Sequence, residues 1–457
     1  MISRRTLLQL SGAAAVAGSL PSLTQQAAAP DYKLEIAPVT LEFSPRQRLR
    51  TLAYNGQVPG PLLRLKENQT VTIDVTNRSD RPEVVHWHGL FLPVAVDGSM
   101  EEGTSPIAPN ATARLTFTPR PAGFRWYHTH TMAMADLTRA QYGGQHGFLM
   151  IEPRNHPGRY DQEFFLALHD WGGHLLASDD GAMNPTYDLA TINGRMLGAG
   201  EPLRVRPGQQ VLLHVLNSSP TEVHWIALAG HDLTVMALDG NLLPVPRVVP
   251  MLRLAPAERV CALVKMDNPG VWILGEVRKH VQSAGMAVVV EYANAAGAPR
   301  WQQPPDLLWN YQQFASAPPG GEAAETPLAI PLVFEAKFRG HGAMEAWTIN
   351  GKSYPDAHVA PLAQGRRYRL QLINRSRDDH PLHLHRHSFE LRSVGAALTA
   401  QGGAATNLSG ITKDVVLVDA QTRAEVEFTA DNPGATLFHC HQQNHMDLGF
   451  MMLFDYA

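Results

Sequence analysis

Residues 436–446 read TLFHCHQQNHM: Cys440 lies between His439 and His441, with another imidazole at His445. Imidazole and thiolate together suit copper, and a trigonal site of two histidines and one cysteine is the mark of an electron-transfer copper. Three further His-x-His pairs occur, at His86 and His88 in HWHG, at His128 and His130 in HTH, and at His383 and His385 in HPLHLHRH, which begins at His380. On a strand, side chains at i and i+2 share a face, so each pair offers two imidazoles to one space. Cys440 then points away from His439 and His441. Its thiolate can bind one copper with His380 and His445 while its neighbours hold a cluster on the other side. One such pair means little in a chain with 21 histidines. Four at matching positions of a repeated framework mean a great deal.

That framework is a threefold repeat. YNGQVPGPLLRLKENQTVTIDVTNRS from Tyr54, INGRMLGAGEPLRVRPGQQVLLHVLNSS from Ile192 and INGKSYPDAHVAPLAQGRRYRLQLINRS from Ile349 each run from Asn-Gly through a polar turn into an alternating strand that ends in Asn-x-Ser. Period-two alternation predicts half-buried strands. A second shared unit follows: five residues after Gly123, Gly270 and Gly434 stand His128, Gly275 and His439, and seven after stand His130, Val277 and His441. The middle copy keeps His224 and His231, but Ala227 and Ala229 fall where the third copy has His383 and His385. It therefore lacks a metal-binding face, and its histidines read as satisfied strand residues. One β-sandwich module is used three times, and the terminal copies must face each other for eight imidazoles to converge.

Length agrees, since 457 residues exceed one ordinary core and suggest about three domains. With 44% hydrophobic and 18% charged residues the chain is globular, and 37 Gly and 34 Pro between short apolar runs favour β architecture. A net charge of -4 gives no reason to expect nucleic acid or an anionic membrane as partner. Arg4 and Arg5 precede an apolar stretch from Leu7 to Leu20 that runs into small residues near Ala29, which reads as an export signal of twin-arginine type, with an ordinary secretory signal as the alternative. No other segment is apolar enough to span a membrane, so a soluble periplasmic or secreted protein, monomeric, is expected. Cys261, in AERVCALVKM, reads as a packed free thiol rather than half of a disulfide.

On these motifs the chain resembles a three-domain multicopper oxidase of the laccase and cuprous oxidase type, over essentially its whole mature length. The resemblance implies an all-β fold of three cupredoxin-like Greek-key β-sandwich or barrel domains in tandem: residues 30–153, 154–300 and 301–457 after an export signal at 1–29. It implies four copper ions. Type 1 would take His380, Cys440 and His445; type 2 would take His86 and His383. The type 3 pair would take His88, His128 and His441 on one ion, and His130, His385 and His439 on the other. The implied reaction is oxidation of a small reducing substrate at type 1, with electrons passing through Cys440 to the cluster, where dioxygen is reduced to water.

Several positions depart from the family pattern. Phe450 stands where the axial type 1 ligand is placed, and a noncoordinating neighbour there raises the potential; Met451 would face the other way. Arg386 replaces a usual glycine, and His387 beside it reads as structural. Asp97 matches a carboxylate that relays protons in related enzymes, or is simply a turn residue before Gly98. A second acid is expected directly after His445, where Met446 stands, with Asp447 one place late. Asp378 and Asp379 precede His380 and either bind a donor at an exposed type 1 edge or form a solvated loop. The methionine-rich insertion common in cuprous oxidases is missing. A laccase-like oxidase of phenols and aromatic amines is therefore favoured. A cuprous oxidase for copper tolerance is the alternative, ahead of a non-catalytic copper-binding protein and a nitrite reductase.

Overall fold

A computed structural model describes residues 28–153, 159–177, 183–316, 326–338, 344–357, 361–398 and 408–456. The expected export signal lies outside the described residues, apart from its last two positions. Among the described residues strands dominate and the few helices are five residues long or shorter, and no helix is long and apolar enough to cross a membrane.

Each repeat forms two packed sheets. In the first, the strands Gln47–Tyr54, Tyr32–Ser44, Val71–Asn77 and Thr112–Phe117 lie side by side, facing Gly60–Lys66, His146–Glu152, Gly123–His128 and His86–His88. The middle and third repeats have the same plan, with sheets of six and five strands and of six and four. In all three, the strand ending in asparagine runs parallel to the first strand of its repeat: Val71–Asn77 with Tyr32–Ser44, Gln210–Asn217 with Gln162–Trp171, and Arg367–Asn374 with Leu328–Phe338. The alternation is as expected: along Val71–Asn77 the side chains of Val71, Ile73 and Val75 point inward, each contributing roughly 1.5–3 kcal/mol by burial.

The repeated asparagines explain why the motif recurs. Asn55, Asn193 and Asn350 each take φ 52°, the left-handed conformation that asparagine tolerates in a tight hairpin turn. Their amides then tie the turn to the first strand of the same repeat: Asn55 bonds Glu35 and Lys33, Asn193 bonds Ala167 and Phe165, and Asn350 bonds Val333 and Pro331. At the far end Asn77, Asn217 and Asn374, all fully buried, accept from the backbone N–H of Ser79, Ser219 and Ser376. Each donates to two carbonyls or more in the crossing that follows. That crossing delivers the strands that begin at His86, His224 and His380.

Among the described residues the middle copy contributes to none of the imidazole clusters. Gly275 stands where the others have a histidine, and a Cβ there would lie 2.5 Å from Ala287. His224 is held between Asp170 at 2.8 Å and Glu276 at 2.9 Å. His231 lies in the turn after its strand, not within it, and pairs with the Tyr292 hydroxyl at 2.6 Å. Cys261 is free and buried as expected, but its sulfur is 3.2 Å from Nδ1 of His214. It belongs to an apolar cluster at the junction of the three repeats that includes Phe124, Trp126, Leu216 and Val415.

Candidate metal centres

Sheet pairing aims the histidines. His86 lies opposite His128, and His383 lies opposite His439, on antiparallel neighbours within the first and third repeats. The two repeats then meet face to face: the His86 ring stacks on His385 at 4.0 Å and the His88 ring on His383 at 3.8 Å. Ligating atoms come within 4.8 Å of one another in the groups His86, His88 and His383; His88, His128 and His441; His130, His385 and His439; and His380, Cys440 and His445. All eleven side chains singled out as metal ligands fall in these groups, and all are buried.

Six of the eight cluster rings are oriented by their second nitrogen. The Nδ1 atoms of His86, His383, His128 and His439 donate to the carbonyls of Asp97, Asp414, Thr129 and Cys440 at 2.7–2.9 Å. Nε2 of His88 meets the Asp414 carboxylate at 3.1 Å, and Nδ1 of His385 meets Asp97 at 3.0 Å. The opposite nitrogens of His86, His383, His128 and His88, and both nitrogens of His130 and His441, have no hydrogen-bond partner although buried. Orphaned buried nitrogens in such number are costly, and a carbonyl or carboxylate behind each ring is how metal-binding imidazoles are held. Burial drives His88, His128, His385, His439 and His441 well below the usual imidazole range. The rings are therefore neutral, the form that binds a metal. The donor set fits copper.

The thiolate group is separate. Cys440 Sγ is 3.5 Å from Nδ1 of His445 and 3.9 Å from Nδ1 of His380, and the two nitrogens are 3.2 Å apart. The Ser376 hydroxyl holds Nε2 of His380 at 2.8 Å. Burial pushes the Cys440 thiol up, so only a bound cation makes the thiolate stable there. The Phe450 ring lies 4.7 Å from the His380 ring, and its carbonyl accepts from the Cys440 N–H. Met451 packs away from the site with Leu437 and Met446.

The carboxylates were only partly foreseen. Asp97 is fully buried and touches both His86 and His385. It is aimed by Gly98, at φ 95°, where a Cβ would strike the Val85 carbonyl. Burial alone would raise Asp97, but His86 and a hydrogen bond from Glu102 hold it below its usual value. Burial and the charge of Asp97 push Glu102 well above its own. Of the two, Glu102 is the one that the site disposes to keep its proton. Glu101 lies 3.5 Å from His130. Sequence reasoning missed both glutamates and Asp414; the adjacent EEG would have been a signal for the first two. Burial would raise Asp414, but a two-pronged bond from Arg259, at 2.6 Å twice, and the nearby charge of Arg125 lower it to about 2. Arg386, at φ 59°, donates to the carbonyls of Asn432 and Pro433, bracing the turn before the HCH strand. His387 bonds the Tyr456 hydroxyl, a structural contact. Asp447 accepts from Gln443 and from the Ala133 N–H, and burial raises it to about 6.

The expected exposed type 1 edge is absent. His380 and His445 are 0% and 2% exposed, because Trp347 covers them, its ring 4.8 Å and 4.4 Å from theirs. Beyond Trp347 opens a cleft of about 530 Å3 walled by Glu335, Phe338, Met344, Arg375 and Asp378. Asp379 is turned elsewhere, accepting from the Ala420 N–H at 2.8 Å.

Sequence models described as multicopper oxidase match residues 35–156, 163–294 and 325–457. Multicopper oxidase MmcO of Mycobacterium tuberculosis is 28% identical over 89% of this chain and 83% of its own length. Copper resistance protein A of Escherichia coli is 24% identical over 98% of both. Among solved structures, a multicopper oxidase from Pseudomonas thermotolerans aligns with a TM-score of 0.72 at 26% identity, over 94% of this chain and 100% of that one. Fet3p, a multicopper oxidase that functions in iron import, aligns with a TM-score of 0.78 at 21% identity, over 93% and 90%.

Proposed function

The chain belongs to the multicopper oxidases, and on that basis we propose that it is a laccase-like member that oxidises phenols and aromatic amines by one electron at a time and reduces dioxygen to water. We assign four coppers: type 1 to His380, Cys440 and His445; type 2 to His86 and His383; type 3 to His88, His128 and His441 and to His130, His385 and His439. Residues 30–153, 154–300 and 301–457 are proposed as the three domains, and a monomer exported by the twin-arginine route to the periplasm as the mature form.

The observation that carries this reading is the pair of buried donor sets joined through one residue, the imidazole cluster on one side of the HCH strand and the thiolate group on the other. Bound copper would supply one-electron acceptance at the thiolate group and dioxygen reduction at the cluster. The chain's part is positioning and proton supply. Carbonyls fix the rings, the walls exclude water, and the Asp97–Glu102 pair keeps a proton within reach of His385, which suits general acid work beside the cluster. Phe450 leaves the thiolate group without an axial donor, which favours a strong oxidant.

A second reading, cuprous oxidation, is favoured by the near full-length likeness to copper resistance protein A. Against it, every grouping of ligating side chains found among the described residues lies at the two centres and none in the outer cleft. Oxygen uptake by the copper-loaded protein, with dimethoxyphenol against Cu(I), decides between them. A higher specificity constant for the phenol is expected, and a much higher one for Cu(I) reverses the assignment.

A further inference from the structure

The carboxylates beside the imidazole cluster stand on a loop of the first repeat, residues 92–102, and that loop is held from the third repeat. The side-chain amide of Asn432 donates to the Leu92 carbonyl and to the Arg386 carbonyl, each at 3.1 Å. The Leu437 N–H donates to the Glu102 carboxylate at 2.7 Å. Val94 lies so close to the turn at Gly434 that a Cβ there would come within 2.7 Å of its methyl group. Arg386 closes the arrangement, its guanidinium donating to the Asn432 and Pro433 carbonyls at 2.5 Å and 3.0 Å.

Arg386 takes this place against two unfavourable terms. Its φ of 59° lies in the left-handed region, which strains a residue with a Cβ and which glycine enters freely. It is 1% exposed, and among the described residues its side chain forms no ion pair, its bonds running to carbonyls alone. A buried charge without an ionic partner is costly. Burial opposes the ionisation of both Asp97 and Glu102, and the Arg386 charge acts the other way on both, so the guanidinium is within electrostatic reach of the acid pair.

We propose that Arg386 is a positioning residue for the oxygen half of the reaction: it clamps the loop 92–102 of the first repeat onto the third and so holds Asp97 and Glu102 against the cluster. Asp97 meets Nδ1 of His385 across the two repeats at 3.0 Å, and His385 is the residue before the clamp. Without the guanidinium the turn 432–434 is loosened, and the hold on Leu92 and Val94 goes with it. Arg386 itself passes no electron and no proton. The thiolate group lies on the other side of the HCH strand, packed and bonded by Trp347, Phe450 and Ser376, none of which Arg386 bonds. Oxidation of the donor is therefore independent of the clamp. The proposal rests on the copper assignment and not on the identity of the donor.

The test separates the two halves of turnover in wild type, Arg386→Gly, Arg386→Lys and Asn432→Ala, compared at equal copper content. Bleaching of the blue absorbance by ascorbate is followed without oxygen, and its return is followed when the fully reduced protein is mixed with oxygen. In Arg386→Gly and Asn432→Ala, bleaching and the type 1 potential should be unchanged while the return slows about tenfold, which a small misplacement of a catalytic group suffices to cause. Arg386→Lys keeps the charge without the forked grip and should be slowed likewise. A return at the wild-type rate in Arg386→Gly overturns the proposal, and so does equal slowing of both halves, the mark of a general loosening. Full recovery in Arg386→Lys with Asn432→Ala unaffected assigns the effect to charge instead of clamping and also overturns it. If Arg386→Gly takes up no copper, amide exchange in the copper-free Asn432→Ala chain decides. The Leu437 N–H should then exchange about tenfold faster while the Cys440 N–H stays protected, and unchanged exchange at Leu437 sinks the proposal. A wild type that binds no copper overturns the copper assignment, and this proposal with it.

Discussion

Cys440 serves two neighbourhoods at once, its sulfur facing His380 and His445 and its flanking residues facing the imidazole cluster. Cys440→Ser should therefore lose one copper per chain, the blue absorbance and phenol oxidation together, while the cluster keeps its metal; metal analysis and the visible spectrum check this. A second prediction concerns His224. Burial alone would lower this imidazole, but Asp170 and Glu276 raise it to about 10; burial would raise Glu276, but His224 and Arg278 lower it to about 2. A raised histidine stabilises fully below its unfolded value, about 6.5, and loses that contribution as pH climbs through 10. A depressed glutamate stabilises above about 4.5 and loses its contribution as pH falls through 2. His224→Gln should thus cost most between about pH 4.5 and 6.5, with the gap narrowing at alkaline pH in denaturant titrations. The clustering of the buried histidines was legible because their period of two and their repetition are local. Asp414 was not, since it meets His88 across 326 residues of sequence. Nor was Trp347, whose role depends on which side chain happens to cover another.

Among the elements, the asparagine that ends each parallel strand does the same job three times. Asn374 donates to the carbonyls of Asp378, Val418 and Asp419 and accepts from Ser376, and Ser376 in turn holds His380. Asn374→Ala should cost about 1–3 kcal/mol by leaving buried carbonyls unpaired, and it should also perturb the type 1 spectrum; thermal melting and visible absorption read the two effects. The repeat was legible from the Asn-Gly and Asn-x-Ser spacing, because turn chemistry depends on neighbours in sequence. The turn position of His231 and the bracing by Arg386 were not, since both depend on how one strand ends against another.

For the whole molecule, the middle repeat contributes no residue to the ligating groups found among the described residues, yet it is bound to the centre through charge. Its Arg259 and Asp239 lie buried against Asp414 and Lys413 of the third repeat, with Arg125 of the first beside them. Removing one member leaves the others uncompensated, so Arg259→Leu should cost about 3–5 kcal/mol. It should also loosen His88 through Asp414, which calorimetry and copper retention on dialysis would show together. The face-to-face meeting of the first and third repeats has a consequence in time. A chain is made from its amino end, so His86, His88, His128 and His130 leave the ribosome long before His383, His385, His439 and His441 exist. Half a cluster must wait, its four imidazoles without their partners, and any metal taken up then is held on incomplete terms. Faithful loading is thus an event of the finished polypeptide, and a protein that stops short of residue 439 is a fold without its chemistry.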